Sequence, residues 1–162
     1  MYTMDESDET IRSQSDETIL VIFTLDNGLY GVDVSQVREI TNMHDTTPVP
    51  NTSHYVDGVT NLRGQVTTVT NLRKKFGLPE KDKDDSSRMI VVEPDNVPVG
   101  MIVDSVSEVL RMPTKKIEAI PEILAESTAG TNIDSEYIKG VGKLDDGELL
   151  ILLDLEKMVA AA

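Results

Sequence analysis

Tyr30-Gly31-Val32-Asp33-Val34-Ser35-Gln36-Val37-Arg38-Glu39-Ile40 returns further along the chain as Val99-Gly100-Met101-Ile102-Val103-Asp104-Ser105-Val106-Ser107-Glu108-Val109. The correspondence extends outward from this stretch. Pro50 aligns with Pro121, and Tyr55-Val56-Asp57-Gly58-Val59 with Tyr137-Ile138-Lys139-Gly140-Val141. With one insertion at a turn, Gly64, Val66, Val69, Leu72 and Phe76 fall opposite Gly147, Leu149, Leu152, Leu155 and Val159. A sequence written twice in this way predicts two similar units. Each is too short to bury a large core alone, so the two are expected to pack side by side, with a cleft where they meet.

The building blocks are short, β-branched apolar runs, clearest at Ile19–Leu25, Met89–Val92 and Leu149–Leu153. Turn signals separate such runs: Asp26-Asn27-Gly28, Arg63-Gly64, Asp95-Asn96 and Asp145-Asp146-Gly147. That spacing predicts an all-β fold of sandwich or barrel type. Two short helices are expected to interrupt it, over Asn71–Phe76 before Gly77 and over Asp154–Val159, with Asp154 as a cap. The polar stretch Pro79–Ser87 suggests a boundary between a first subdomain at about 19–80 and a second at about 87–150. Ala125–Asp134 reads as a loop broken at Ala129-Gly130. The first eighteen residues contain Ser-Asp-Glu-Thr twice and little apolar periodicity, which predicts a disordered acidic tail at 1–18 and a folded part at 19–159.

The chain has 162 residues, with 29 acidic against 15 basic ones and a net charge of −14. More than half of that charge lies outside the tail, so the folded surface is acidic as well. Such a surface argues against nucleic acid and against anionic membranes, whose affinities rest on Lys and Arg. Adaptation to a salty cytoplasm, where screening is short-ranged, is one explanation of it. Aromatics make up 4% and Trp is absent, which removes a base-stacking platform. With no cysteine there is no disulfide framework, thiolate metal site or thiol nucleophile. Ile19–Phe23 and Leu149–Leu153 fall far short of the ~20 apolar residues a spanning helix needs. The first eighteen residues also lack a signal-peptide pattern, so a cytoplasmic protein is expected.

Little in the sequence supports catalysis. His44 and His54 are the only histidines and are not at metal-ligand spacing, so neither a metal nor a cofactor is expected. Asp33 and Asp104 stand one in each copy, beside turns, and read as structural. The chain carries no phosphate-binding glycine loop and no nucleophile elbow. A non-enzymatic binding module follows. The alternative is a small β-barrel enzyme or ligand-binding domain that uses His44 or His54.

The string Tyr55-Val56-Asp57-Gly58-Val59-Thr60-Asn61-Leu62-Arg63-Gly64, followed by an apolar strand and Leu72-Arg73 with Phe76-Gly77, resembles the CheW family of chemotaxis coupling proteins. Tyr30-Gly31-Val32, Val37-Arg38-Glu39-Ile40, Thr47-Pro48-Val49-Pro50, Val99-Gly100, Val103-Asp104, Tyr137-Ile138-Lys139-Gly140 and Leu152-Leu153-Asp154-Leu155 continue the resemblance across about 19–159. It implies two five-stranded SH3-like barrels. It also implies a cytoplasmic adaptor, recruited to membrane-bound arrays, that couples chemoreceptors (methyl-accepting chemotaxis proteins) to the histidine kinase CheA. The implied partners are the cytoplasmic tip of the receptor, docked in the groove between the barrels, the regulatory domain of CheA, and other CheW-like proteins. A stand-alone coupling protein is expected, since no phosphotransfer, ATPase or receiver segment fits in 162 residues. The sequence departs from the family in a threonine-rich stretch, Gln65–Asn71, and in Asn71, where Asp is common.

The resemblance picks out six candidate partner-binding residues. Arg63 matches the family's recurring partner-binding arginine, and a guanidinium fork suits bidentate contact with carboxylates or carbonyls. Asn61 is expected to bond the backbone of the turn, and Gly64 to supply its positive φ. Leu62 is expected in the core or at the contact, and Val37 faces the receptor by the family match. Glu39 recurs as Glu108, which points as much to the fold as to a contact.

Overall fold

The long apolar runs bury both of their faces. The computed structural model describes residues 16–119 and 135–160. Strands β1 (Glu17–Leu25), β2 (Gly28–Asp33), β8 (Ser105–Pro113), β9 (Ile117–Glu118), β10 (Ile138–Lys143) and β11 (Leu149–Leu153) form one sheet, in the order β8-β1-β2-β11-β10-β9. Strands β3 (Val37–Thr41), β4 (Val56–Leu62), β5 (Gln65–Asn71), β6 (Arg88–Val92) and β7 (Val99–Val103) form the other, in the order β3-β6-β7-β5-β4. Along β1, Leu20 and Ile22 point into one cluster with Met112, Leu150 and Leu152. Val21, Phe23 and Leu25 point into another, with Ile90, Val92 and Met101 from the second sheet and Phe76 from the segment after β5. On β6, Met89 and Val91 join Leu62, Val69 and Ile102, while Ile90 and Val92 join the shared cluster. The period-2 alternation of a strand thus feeds a small private core on one face and a common core on the other, which is why these runs are continuously apolar.

The two sheets are copies of one another. Strands β8-β1-β2-β11-β10 correspond to β3-β6-β7-β5-β4, and in each the pair drawn from distant sequence, β2–β11 and β5–β7, is parallel. The register breaks recur too: one falls between Val37 and Glu39 and its match between Val106 and Glu108, and another between Val56 and Gly58 with its match between Ile138 and Gly140. The short pairing of β9 with β10 is matched by the Thr47–Val59 bridge. Helices α1 (Leu72–Lys75) and α2 (Leu155–Ala160) follow the matching strands. Asn71 Oδ1 caps α1 at Lys74 N (3.3 Å) and Asp154 Oδ1 caps α2 at Lys157 N (3.2 Å).

The sequence boundary at Pro79–Ser87 does not divide the sheets. The chain crosses from one barrel to the other at Val34–Gln36, after β2, and again at Asp104, after β7. Both crossings lie inside the repeated stretch, so each half lends two strands to complete the other barrel. The gapless register also sets Asp33 against Ile102 and Asp104 against Ser35, so the two aspartates are not equivalents. Asp33 Oδ1 accepts from Ser35 N (2.9 Å), and Asp104 Oδ2 accepts from Asp26 N (2.8 Å). At the N-terminus β1 begins at Glu17, within the span expected to be a tail, because Glu17 and Thr18 pair with Pro113 and Met112. Residues 1–15, Pro121, and the expected loop at 125–134 lie outside the described residues.

Two polar clamps fix the barrels where the shared core meets solvent. Arg73, on α1, has a side chain only 9% exposed, with Nη1 2.5 Å from Asp104 Oδ2 and Nη2 3.1 Å from Asp26 Oδ1. Its Nε donates to the carbonyl of Pro79 (2.9 Å). Lys75 Nζ lies 4.1 Å from the ring centroid of Tyr55 and 5.2 Å from that of Tyr137, the two tyrosines that correspond in the repeat. Inside, Phe23, Tyr30 and Phe76 stack at 5.9 Å spacings across the two units.

Candidate functional site

The hairpin between β4 and β5 closes in two residues, Arg63 and Gly64, both at positive φ (50° and 84°), with Leu62 paired to Gln65. That is the geometry of a type I′ turn, which favours Asn-Gly over any arginine. Asn61 Oδ1 accepts from Gly64 N (3.0 Å) and pins the loop. Leu62 lies within the barrel, 8% exposed, in the cluster of Val69 and Val91. Its inward position follows from strand alternation and assigns it to the core. Gly64 has nothing within 4 Å of where a Cβ would stand, so its φ alone calls for glycine there.

Arg63 itself is 72% exposed in its side chain. Its Nε donates to Glu39 Oε1 and its Nη2 to Glu39 Oε2, each at 3.1 Å. The Glu39 carboxyl is held below its ordinary pKa, first by the hydrogen bond from Arg63 and also by the charges of Arg63, Arg38 and His44. The bulge at Arg38 places Glu39 opposite Val91 on β6, while Arg38 reaches Gln65 on β5 through its own guanidinium. Three of the candidate residues, Asn61, Arg63 and Glu39, therefore meet at one end of one barrel. Val37 does not join them. It is half-buried against the shared core and lines a separate groove with Val92, Pro94, Asp95, Leu155 and Glu156.

Two apolar positions that the sequence did not single out belong with these surfaces. Ile40 (40% exposed) and Val66 (71%) stand on β3 and β5 of the barrel that carries Arg63. Their repeat equivalents, Val109 (59%) and Leu149 (60%), are exposed on the other barrel. The signal was present in the repeat as matched apolar pairs, but a strand pattern alone does not tell an outward valine from an inward one. His44 Nε2 meets the Thr41 hydroxyl (2.9 Å), and exposed His54 packs edge-on to Tyr55. Among the described residues no group of three or more His, Cys, Asp or Glu could hold a metal ion, and no helix is long and apolar enough to cross a membrane.

Two SH3-like barrels that exchange strands, share a core and carry an arginine-tipped hairpin define the structural class of double-barrel proteins. Residues 20–162 match the CheW-like domain. The chain is 34% identical over 155 residues to the chemotaxis protein CheW of Klebsiella aerogenes, covering 94% of this chain and 89% of that one. It is 31% identical to CheW of Thermotoga maritima, covering 93% of each. The crystal structure of the scaffolding protein TtCheW from Thermoanaerobacter tengcongensis superimposes with a TM-score of 0.78 at 33% identity, over 87% of this chain and 91% of that one. The chain belongs to the CheW-like family of chemotaxis scaffold proteins.

Proposed function

We propose that this protein is a non-catalytic cytoplasmic adaptor that couples chemoreceptors to the histidine kinase CheA within membrane-associated arrays. The observation that carries this reading is Arg63. A hairpin tip that would fold better with Asn at that position instead holds an exposed arginine in the left-handed region, a backbone state that costs roughly 1–2 kcal/mol for an L-residue, and orients it with a carboxylate from another strand. Strain kept at an exposed, oriented side chain marks a binding residue rather than a folding one. In this reading Arg63 and Glu39, with Asn61 and Gly64 shaping the turn, contact a partner, and Val37 faces the receptor tip from the groove between the barrels.

The matched apolar pairs support contacts at both ends of the molecule. Ile40 and Val66 on one barrel, and Val109 and Leu149 on the other, are exposed apolar side chains, suited to contact with the CheA regulatory domain or with another CheW-like protein. Two modest interfaces are individually weak and gain strength from repetition in an array. The test is co-purification of the tagged protein with the receptors and histidine kinases of the same cell. Recovery of both classes, lost on charge reversal at Arg63, is the expected result; recovery of neither refutes the reading.

A further inference from the structure

Strands β3 and β4 are the outer strands of one sheet and do not pair with each other. Two arginines span the gap between β3 and the β4–β5 hairpin, in opposite directions. Arg63, at the turn after β4, reaches Glu39 on β3 (3.1 Å), and Arg38 on β3 donates to the side-chain oxygen of Gln65, the first residue of β5. Arg38 is the extra residue of the bulge between Val37 and Glu39. Its counterpart in the repeat, Ser107, occupies the matching bulge between Val106 and Glu108. The hairpin opposite Arg63-Gly64 reads Asp145-Asp146-Gly147, so the other barrel takes the same fold with neither arginine. The crossed pair is therefore not a requirement of the barrel.

Arg38 has a second acceptor. The Nη1 that serves Gln65 also lies 3.6 Å from Glu93 Oε1, just past the end of β6. The two side chains are 33% and 35% exposed, and both line the groove that holds Val37. One nitrogen thus stands between the groove wall and the residue that follows the Arg63-Gly64 turn. Exposed Ile40 and Val66 come next in the chain after Glu39 and Gln65. At 3.6 Å and in contact with water, the Arg38–Glu93 pair is an ion pair without a hydrogen bond and holds the guanidinium weakly. An occupant of the groove covers that pair, excludes water from it and strengthens it, which fixes the guanidinium where it also meets Gln65.

We propose that Arg38 is a positioning residue that makes the two docking surfaces cooperative. A receptor tip seated in the groove orders Arg38, and the ordered guanidinium holds the Arg63 hairpin ready for the CheA regulatory domain at the Ile40 and Val66 end. The first partner to bind bears the loss of side-chain freedom and the second does not, which gives positive cooperativity without a change of fold. By reciprocity, each partner tightens the other by the same factor. The proposal rests on the adaptor reading above and adds the residue through which its two contacts act on one another.

The experiment titrates the CheA regulatory domain into the full chain with and without a saturating tip fragment of a chemoreceptor from the same cell, and then reverses the order. In the wild type each partner is expected to tighten the other roughly fivefold or more. The receptor fragment alone should also slow amide hydrogen exchange across Asn61–Val66. Gln65→Ala removes the acceptor at the hairpin and leaves the groove untouched. It should bind the receptor fragment alone as the wild type does, and its coupling should fall below about twofold. Arg38→Met keeps the apolar stem and should lose the coupling as well, with an unfolding midpoint near that of the wild type because Arg63 still meets Glu39. Independent binding of the two partners by the wild type, or full coupling retained in either variant, overturns the role of Arg38 and leaves the adaptor reading intact. A wild type that does not bind both partners overturns the adaptor reading, and the coupling with it.

Discussion

Glu39 and Arg63 meet as a fork: Nε and Nη2 of the arginine each lie 3.1 Å from a different oxygen of the carboxylate. The pair joins the edge strand β3 to the tip of the β4–β5 hairpin and holds an exposed cation in one orientation. Glu39→Gln keeps the shape but weakens the fork. It is expected to lower partner affinity less than Arg63→Ala does, and combining the two changes should lose less than their separate effects sum to. A double-mutant cycle measured by binding titration checks this.

The same pair sets an acid dependence. Because Arg63 lowers the pKa of Glu39 in the folded state, the pair's contribution to stability is present above the unfolded carboxyl's pKa and is lost as pH falls through the lower folded value. Wild type and Arg63→Ala, unfolded in denaturant across a pH series, should therefore differ by a constant amount near neutrality and converge in acid. A difference that grows as pH falls contradicts the assignment.

Arg73 is a different kind of arginine. With its side chain 9% exposed and Asp104 13%, removing it strands a buried carboxylate between the barrels. Arg73→Ala is expected to cost about 3–5 kcal/mol, and Arg73→Met less, since Met refills the volume of the buried stem. Chemical denaturation of the two variants gives the comparison.

Gly58 takes φ +146°, and a Cβ there would stand 2.2 Å from the carbonyl oxygen of Thr47. The obstacle is backbone and cannot swing away. Gly58→Ala should cost about 3 kcal/mol, whereas Gly64→Ala, with open space and only an unfavourable φ, should cost about 1 kcal/mol. Equal losses at the two positions would contradict the close packing of β4 against Thr47.

Much of the fold was legible because it rests on local chemistry stated twice. The turns at Asp26, Arg63, Asp95 and Gly147 carry positive φ, Asp154 caps the last helix as expected, and the strands fall on the apolar runs. The exchange of strands was not legible, because β2–β11 and β5–β7 are parallel pairings between distant segments, and local periodicity does not say which sheet a strand will join. The start of β1 at Glu17 was missed for a similar reason, since its polar end is held only by pairing with Pro113 and Met112. At the candidate site, Arg63, Asn61 and Gly64 followed from a motif, and Glu39 was found with its role open. Arg73 was seen only as part of a motif; its burial between two aspartates depends on the barrels coming together. Thr67 and Thr70, departures in the sequence, are buried at 1% and 4% exposure on opposite faces of β5, so a hydroxyl stands in place of a methyl group on each face of the strand.

The central claim is that Arg63 is kept for binding at some cost to the fold, and one substitution separates the two. Arg63→Asn gives the type I′ turn its preferred residue and removes the guanidinium. Isothermal titration of this variant with a chemoreceptor tip fragment and with the CheA regulatory domain, beside its thermal unfolding, should show a midpoint equal to or above wild type and a roughly tenfold or greater loss of affinity for at least one partner. Wild-type affinity for both partners, or a loss that merely follows a lowered midpoint, would contradict the account.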